Sequence, residues 1–206
     1  FRTQDGGNMH RIPDVPGGWI HRADPDHILV VGAVAQPNGE LELGDFYYLD
    51  RNGNEVARPP EGSIWAYPWE KGAKAAGYMM EENQTGLFDE NGKITEPIYN
   101  DIQYLSEDFI FVQESDGSWH PIDAQSEPVG DETFEDCLCF GDNDLAAVCK
   151  DGLWGYLNTK GQFVLEPTFA QATIFDHGVA IVSLEGEDTS FFIDTEGKAI
   201  SDKLDL

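Results

Sequence analysis

The sequence predicts an all-β protein made of tandem antiparallel β-meander repeats that form a curved, solenoid-like sheet, with a small closed β-propeller as the alternative. One short motif recurs along the 206-residue chain at spacings of 39, 34, 35 and 36 residues. Self-similarity at such a period is typical of repeat architectures, in which stacked units share a continuous core. Helix content is expected to be low, because no window of the sequence carries apolar residues at a 3.6-residue period over three turns.

The repeated motif is an apolar residue followed by Asp or Asn. Residues 115–126, "SDGSWHPIDAQS", and residues 150–161, "KDGLWGYLNTKG", show it most clearly. Both stretches contain Asp-Gly-x-Trp and then an apolar residue that precedes Asp or Asn. The chain holds five copies of the pair: Leu49-Asp50, Phe88-Asp89, Ile122-Asp123, Leu157-Asn158 and Ile193-Asp194.

Each copy is predicted to end in the tip of a β-hairpin. Three residues after the Asp or Asn, the chain has Ser126 in the third copy and glycine in the other four. Asp or Asn at the first position of a type I turn bonds the backbone two residues on, and glycine at the fourth position takes the positive φ that closes a bulged hairpin. The four glycines are Gly53, Gly92, Gly161 and Gly197.

A short apolar or β-branched run precedes each tip and is predicted to form a strand. These runs begin at Ile28, Ala75, Phe109, Leu145 and Val179. The repeat domain is therefore predicted over residues 28–206, and the Gly- and Pro-rich segment 1–27 is predicted to cap or strap its first unit. The five units are predicted near residues 28–70, 71–107, 108–143, 144–177 and 178–206.

Two columns of side chains are predicted to pack the core. One is the apolar residue directly before each Asp or Asn. The other stands four residues before it and contains Phe46, Trp119 and Trp154, whereas Thr85 and Ser190 depart from the aromatic pattern. A platform for a ligand or partner is the alternative role for the tryptophans, because aromatic side chains also dominate interfaces.

The unit over residues 144–182 resembles the bacterial WG-repeat family, also called KWG repeats. The other units match in part: the copy near Asp89 keeps Gly86 but lacks the tryptophan, and the copy with Trp119 has His120 in place of glycine. The resemblance spans roughly residues 28–200, implies an all-β repeat protein without a catalytic constellation, and transfers no site residue. The matching features are the Trp154-Gly155 pair, the turn from Asn158 to Gly161, the Glu166-Pro167 break and the Gly-Val-Ala start of a strand at residues 178–180.

Charge is the unusual feature of the composition. The chain has 39 acidic and 12 basic residues, for a formal net charge of -27, and residues 75–206 alone carry a net -23. Nucleic acid and anionic membrane surfaces are poor partners for such a chain, since both need a positive field, and no stretch approaches the length of a membrane span. The acidity instead favours a basic partner, with solubility or salt tolerance as the alternative explanation.

The sequence thus predicts a non-enzymatic, macromolecule-binding repeat protein with a strongly acidic, aromatic-bearing surface. The sharper hypothesis is an inhibitor or immunity-type protein for a basic partner such as a bacterial toxin, because charge complementarity raises association rates and selects partners. The alternative is an extracytoplasmic module that binds glycan or a cell-envelope polymer. The candidate partner-binding residues are Trp65, Trp69, Trp119, Glu132, Glu135, Asp136, Asp142 and Asp144.

No cofactor or metal is predicted. The segment "HRADPDH" offers the imidazoles of His21 and His27 with two carboxylates, which are zinc-type ligands. Pro25 prevents a regular helix from placing them on one face, so a polar linker into the first strand is preferred. The Asp50 and Asp89 turns resemble half of a calcium loop, but the equivalent turn at Asn158 lacks the carboxylate and argues against this.

Three cysteines, Cys137, Cys139 and Cys149, cannot form a complete disulfide framework. Buried packing is predicted for them, with one disulfide to Cys149 or a metal site as alternatives. The compartment stays open between bacterial cytoplasm and periplasm. The chain begins with Phe1 rather than Met, which is compatible with a signal peptide, anchor or tag before it.

Overall fold

Short apolar runs that alternate with Asx turns fold this chain into strands joined by tight hairpins. The computed structural model describes residues 19–24, 26–69, 72–81, 84–106, 109–138 and 144–203. No α-helix occurs among these residues, which confirms the predicted all-β class. The chain divides into two compact units, Phe1–Pro97 and Ile98–Leu206, each with two antiparallel sheets.

The first unit contains two four-stranded meanders, in which each strand pairs with its neighbours in sequence as predicted. The first sheet consists of β1 (Trp19–Asp24), β2 (His27–Ala35), β3 (Leu41–Leu49) and β4 (Glu55–Ala57). The second consists of β5 (Trp65–Ala66), β6 (Ala76–Met79), β7 (Thr85–Asp89) and β8 (Gly92–Lys93).

The segment "HRADPDH" forms a hairpin, so the expectation of a polar linker is wrong. Asp24, the last residue of β1, pairs with His27, the first of β2. The Asp26 backbone N–H donates to Asp24 Oδ2 at 3.2 Å. Asp-Pro-Asp is turn chemistry, because proline presets φ and aspartate accepts backbone hydrogen bonds. The remainder of the predicted cap, residues 1–18, lies outside the described residues.

The second unit contains a three-stranded and a six-stranded antiparallel sheet, and within the described residues neither sheet closes on itself. In both sheets the strands lie side by side in the order in which they follow along the chain. The three-stranded sheet consists of β9 (Asp101–Ser106), β10 (Phe109–Gln113) and β11 (Trp119–Ile122). The six-stranded sheet consists of β12 (Asp136–Leu138), β13 (Leu145–Lys150), β14 (Leu153–Asn158), β15 (Phe163–Ala172), β16 (Val179–Leu184) and β17 (Ser190–Asp194).

Four of the five hairpin tips have the predicted geometry. The backbone N–H of Gly53, Ser126, Gly161 and Gly197 donates to the carbonyl three residues earlier at 2.9–3.0 Å, and all four have positive φ. The second tip differs, because Asp89 pairs directly with Gly92 across a two-residue turn. In all five repeats, including the second, the Asp or Asn side chain accepts the backbone N–H two residues on, so an Asx-turn ends the strand.

Strand β13 is buried on both faces, which explains why its sequence "LAAVC" is apolar throughout. Ala146 and Val148 pack against Phe111 and Trp119 of the three-stranded sheet. Leu145 and Ala147 face the opposite way, into a cluster with residues of β15–β17. Neighbouring repeats thus share their cores, and each buried Leu- or Phe-sized side chain contributes about 1.5–3 kcal/mol.

In the first unit, the core between the two sheets is aromatic. Tyr48 of β3, Phe88 of β7 and Trp69 lie with ring centroids 5.3–5.7 Å apart. Tyr48 is fully buried, and its hydroxyl donates to the Tyr67 carbonyl, which satisfies the one polar group it brings into the core. The predicted packing role of the apolar column is confirmed, since all five members are buried: Leu49, Phe88, Ile122, Leu157 and Ile193.

Candidate functional site

The predicted acidic residues lie along one edge of the second unit. Glu132, Glu135 and Asp136 are exposed in the segment that leads into β12, the edge strand of the six-stranded sheet. Asp144 is exposed directly before β13 and has a left-handed φ of 53°. Asp142 lies outside the described residues. Three carboxylates within five residues therefore border this edge.

Hydrogen bonds and an ion pair hold these carboxylates in place. Glu132 pairs with Lys150, and this hydrogen bond raises the pKa of the lysine. Glu135 Oε2 accepts a hydrogen bond from the Gly152 backbone N–H at 3.0 Å. Asp136 Oδ1 accepts one from the Cys137 N–H at 2.8 Å. Backbone N–H groups thus hold the carboxylates of Glu135 and Asp136, whereas Lys150 offsets the charge of Glu132.

Two of the three tryptophans predicted to bind a partner belong to the core. Trp69 is only 3% exposed, donates its indole N–H to the Ala73 carbonyl at 2.8 Å, and stacks on His27 with centroids 4.1 Å apart. Trp119 is 4% exposed within the core of the second unit. The expectation that these two residues form a binding surface is wrong, because apolar burial takes the rings away from solvent. Trp65 is half-buried and remains accessible.

Trp154 is the tryptophan that borders an open groove. Its side chain is half-buried, packs against the core cluster of β13–β17, and lines a groove of about 750 Å³. The groove runs along the paired strands β15 and β16 to the turn that contains Glu187 and Asp188. Sequence reasoning assigned Trp154 to the packing column and missed this exposure. The available signal was that Trp154 lies in residues 144–182, the repeat that best resembles the WG-repeat family.

His27 joins the two sheets of the first unit rather than binding a metal. Its Nδ1 lies 3.2 Å from Asp24 Oδ2 and its Nε2 lies 2.8 Å from Glu90 Oε1. Asp26 pairs instead with Arg51 at 2.8 Å. Across the described ranges, no group of three or more His, Cys, Asp or Glu side chains is arranged to hold a metal ion.

The two described cysteines, Cys137 and Cys149, are buried. Cys137 packs among apolar residues of the core. Cys149 Sγ lies 3.6 Å from Glu135 Oε2, and burial, reinforced by this carboxylate, raises the pKa of the thiol. Cys149 is buried in the core, as the packing prediction expects. Cys139 lies outside the described residues.

The carboxylates at the hairpin tips are occupied by their own turns. Asp50 Oδ1 accepts from the backbone N–H of Asn52 at 2.8 Å and of Asn54 at 2.9 Å, and the hydrogen bonds of Asn54 are the main cause that lowers the pKa of Asp50 to about 2. Asn158 accepts from Lys160 and Gln162 in the same way. The resemblance to a calcium loop is therefore explained by turn formation.

Three segments of the chain match the family model described as WG containing repeat, over residues 86–119, 133–154 and 154–187. The first matched segment contains β8, β9 and β10, the second contains β12 and β13, and the third contains β15 and β16. No curated protein matches this sequence. Among the described residues, no helix has the length and apolar character required to cross a membrane.

Solved structures resemble the fold at low identity. A computationally designed protein, Ika8, aligns at 12% identity over 90% of this chain and 60% of its own, with a TM-score of 0.51. A eukaryotic initiation factor aligns at 12% identity over 84% of this chain and 51% of its own, with a TM-score of 0.50. This chain thus spans between half and three-fifths of those structures. The structural neighbours are β-propeller and β-repeat proteins, and the likeness concerns the fold alone.

Proposed function

Because the chain carries repeats of the WG-containing family over residues 86–187, we propose that it is a non-enzymatic binding protein whose acidic second unit engages a basic protein partner. The observation that carries the proposal is charge. The second unit has 23 acidic and 4 basic residues, a formal net charge of -19, against -8 for the first unit. Such a field concentrates a cationic partner near the surface and accelerates its association.

The edge around β12 is the part of the second unit that best supports this role. Glu135 and Asp136 are exposed there, and hydrogen bonds from backbone N–H groups hold their carboxylates in place, whereas Glu132 pairs with Lys150. Preorganised charges cost less side-chain entropy on binding than mobile ones. We propose in the sharper form that the protein is an inhibitor or immunity-type protein for a basic partner such as a toxin.

Affinity capture at low and at high salt tests the proposal. The immobilised protein is expected to retain one basic protein at low salt and to release it at high salt, because screening shortens the range of the field. Stoichiometric inhibition of that partner's activity would support the inhibitor form. Retention of nothing, or retention that salt does not change, would contradict the proposal.

Matched charge variants locate the surface. The double variant Asp131→Asn/Asp136→Asn removes two charges beside β12, and Glu40→Gln/Glu61→Gln removes two exposed charges from the first unit. Only the first variant is expected to slow association strongly. Equal effects of the two variants would show that net charge alone matters and would remove the assignment to this edge.

The glycan alternative now depends on Trp65. Trp69 and Trp119 are buried, and Trp65 packs edge-on against Phe46 with centroids 6.0 Å apart while staying half-exposed. Retention on immobilised cell-envelope polymer that Trp65→Leu abolishes would favour this second function.

A further inference from the structure

The groove beside Trp154 combines an aromatic wall with an acidic rim. Its walls are the last three residues of β15 and the last four of β16, and Trp154 borders it from β14. The β16–β17 turn closes one end and contains Glu185, Glu187 and Asp188 within four residues. An aromatic face next to carboxylates is a combination that suits a cation with an apolar or planar body.

A cation of the chain itself already pairs with this rim. The Lys203 ammonium forms an ion pair with Glu187, whose side chain is 33% exposed. Lys203 is itself 52% exposed, so the pair lies at the surface, where ion pairs contribute little to stability. Lys203 can therefore leave Glu187 at small cost, while Asp188 remains exposed on the rim.

Arginine fits this arrangement better than lysine. Its guanidinium is planar, stacks on aromatic faces, bonds carboxylates through several N–H groups and is weakly hydrated. The groove follows the strand pair β15–β16, which gives room for an extended backbone on either side of the bound side chain. Polar side chains such as Gln171 and Ser190 line the same groove and can bond that backbone.

We propose that this groove binds an arginine side chain from an extended basic segment of the partner, with the guanidinium over Trp154 and against Glu187 and Asp188. Lys203 competes with the arginine for Glu187. The inference rests on the proposed function and deepens it: long-range charge brings the basic partner to the second unit, and the groove selects arginine within it.

The probe for this proposal is a short capped peptide of alternating arginine and serine. Addition of this peptide to the full chain is expected to shift the indole N–H signal of Trp154 in a ¹H–¹⁵N spectrum. The same peptide with citrulline, which is nearly isosteric and neutral, is expected to bind at least about tenfold more weakly, because the charge-assisted bonds are lost. Equal binding of both peptides would overturn the proposal. It would also be overturned if the neutral sugar chitotriose, and not the arginine peptide, shifted the Trp154 signal.

Two exposed substitutions with charge-matched controls locate the peptide. Asp188→Asn is expected to weaken binding about fivefold, whereas Glu127→Gln, at an exposed hairpin tip outside both the groove and the β12 edge, changes the net charge equally and is expected to weaken it by less than about twofold. Lys203→Gln is expected to tighten binding about threefold by freeing Glu187, whereas Lys160→Gln, at a distant hairpin tip, is not. Equal effects within either pair would overturn the groove assignment.

The two proposals fail in different ways. If the second unit binds no basic protein, salt-sensitive capture by the unmodified chain is absent. If only the groove assignment is wrong, capture persists and Asp188→Asn leaves it as strong as Glu127→Gln does.

Discussion

The backbone of Pro167 lies directly over Gly155, so close that a Cβ on Gly155 would stand 2.8 Å from the Pro167 nitrogen and 2.6 Å from the Leu165 carbonyl oxygen. The glycine of the Trp-Gly pair thus lies directly against the backbone of the Glu-Pro break. β14 pairs with β15 here, and the strand register shifts between Trp154 and Tyr156. The repeat needs glycine because backbone, which cannot rotate away, occupies the space of a side chain.

Gly155→Ala is therefore expected to destabilise the protein by roughly 1–3 kcal/mol, the usual cost of overpacking, or more if β15 cannot move. The free energy of unfolding from urea titration checks this. Unchanged stability would show that β15 yields to the added methyl group and that the close approach is not required.

Ser126→Gly is expected to raise stability by about 1 kcal/mol, because a non-glycine residue in the left-handed region carries a cost of that order. Ser126 has φ of 67°, and its buried Oγ finds no hydrogen-bond partner among the described residues. The reverse change at an equivalent tip, Gly53→Ser, is the matched control and is expected to lower stability. Thermal unfolding of both variants measures the two signs, and a loss of stability in Ser126→Gly would contradict the strain argument.

Thr85→Val is expected to stabilise the first unit by about 1 kcal/mol. Thr85 is fully buried where three other repeats have an aromatic residue, and its Oγ1 makes no hydrogen bond within the described part of the chain. Thr95→Val removes the same atom where Thr95 Oγ1 accepts the Leu87 N–H at 2.9 Å, and is expected to destabilise. Opposite signs in urea unfolding support the assignment, whereas equal signs would mean that the hydroxyl at position 85 is satisfied.

Asp50 is expected to contribute stability that depends on pH. Its folded pKa of about 2 lies below the ordinary value of 3.8, chiefly because of hydrogen bonds from Asn54. Folding therefore favours the ionised form, so the contribution is full above pH 3.8 and is lost as the pH falls toward 2. Asp50→Asn keeps an acceptor, as Asn158 shows in its own turn, and cannot titrate.

The measurement is the difference in free energy of unfolding between the unmodified protein and Asp50→Asn, from pH 5 to about pH 2. The difference is expected to shrink toward acid, while the common effect of the other carboxylates cancels. Parallel curves for the two proteins would contradict the role of Asp50.

Local signals predicted most of the architecture. The Asp or Asn before each tip and the glycine three residues later were sufficient to place the hairpins, because turn chemistry acts within a few residues. They were insufficient at β1, since one Asp-Pro-Asp turn without a repeat partner is equally compatible with a linker. They also missed the exact pairing at Asp89, where a two-residue turn replaces the bulged one.

The candidate site was predicted less well, because exposure depends on what packs above a side chain. Trp119 and Trp154 occupy the same position in their repeats. Trp119 lies in a core cluster with Phe111 and Phe134, whereas Trp154 borders open space. Composition gives the net charge but could not show that Glu132 and Glu135 contact the end of β13 and the β13–β14 turn.

The sequence by itself determined the period, the hairpin tips, the all-β class and the sign of the electrostatic field, since each depends on residue identity and on contacts a few positions apart. Only the tertiary structure decided which tryptophan meets solvent, why Gly155 cannot bear a side chain, and where Lys203 finds its carboxylate. These features join residues that are distant in sequence, from Gly155 and Leu165 to Trp154 and Ser190. Such contacts form through the packing of whole strands, which no local pattern of residues specifies.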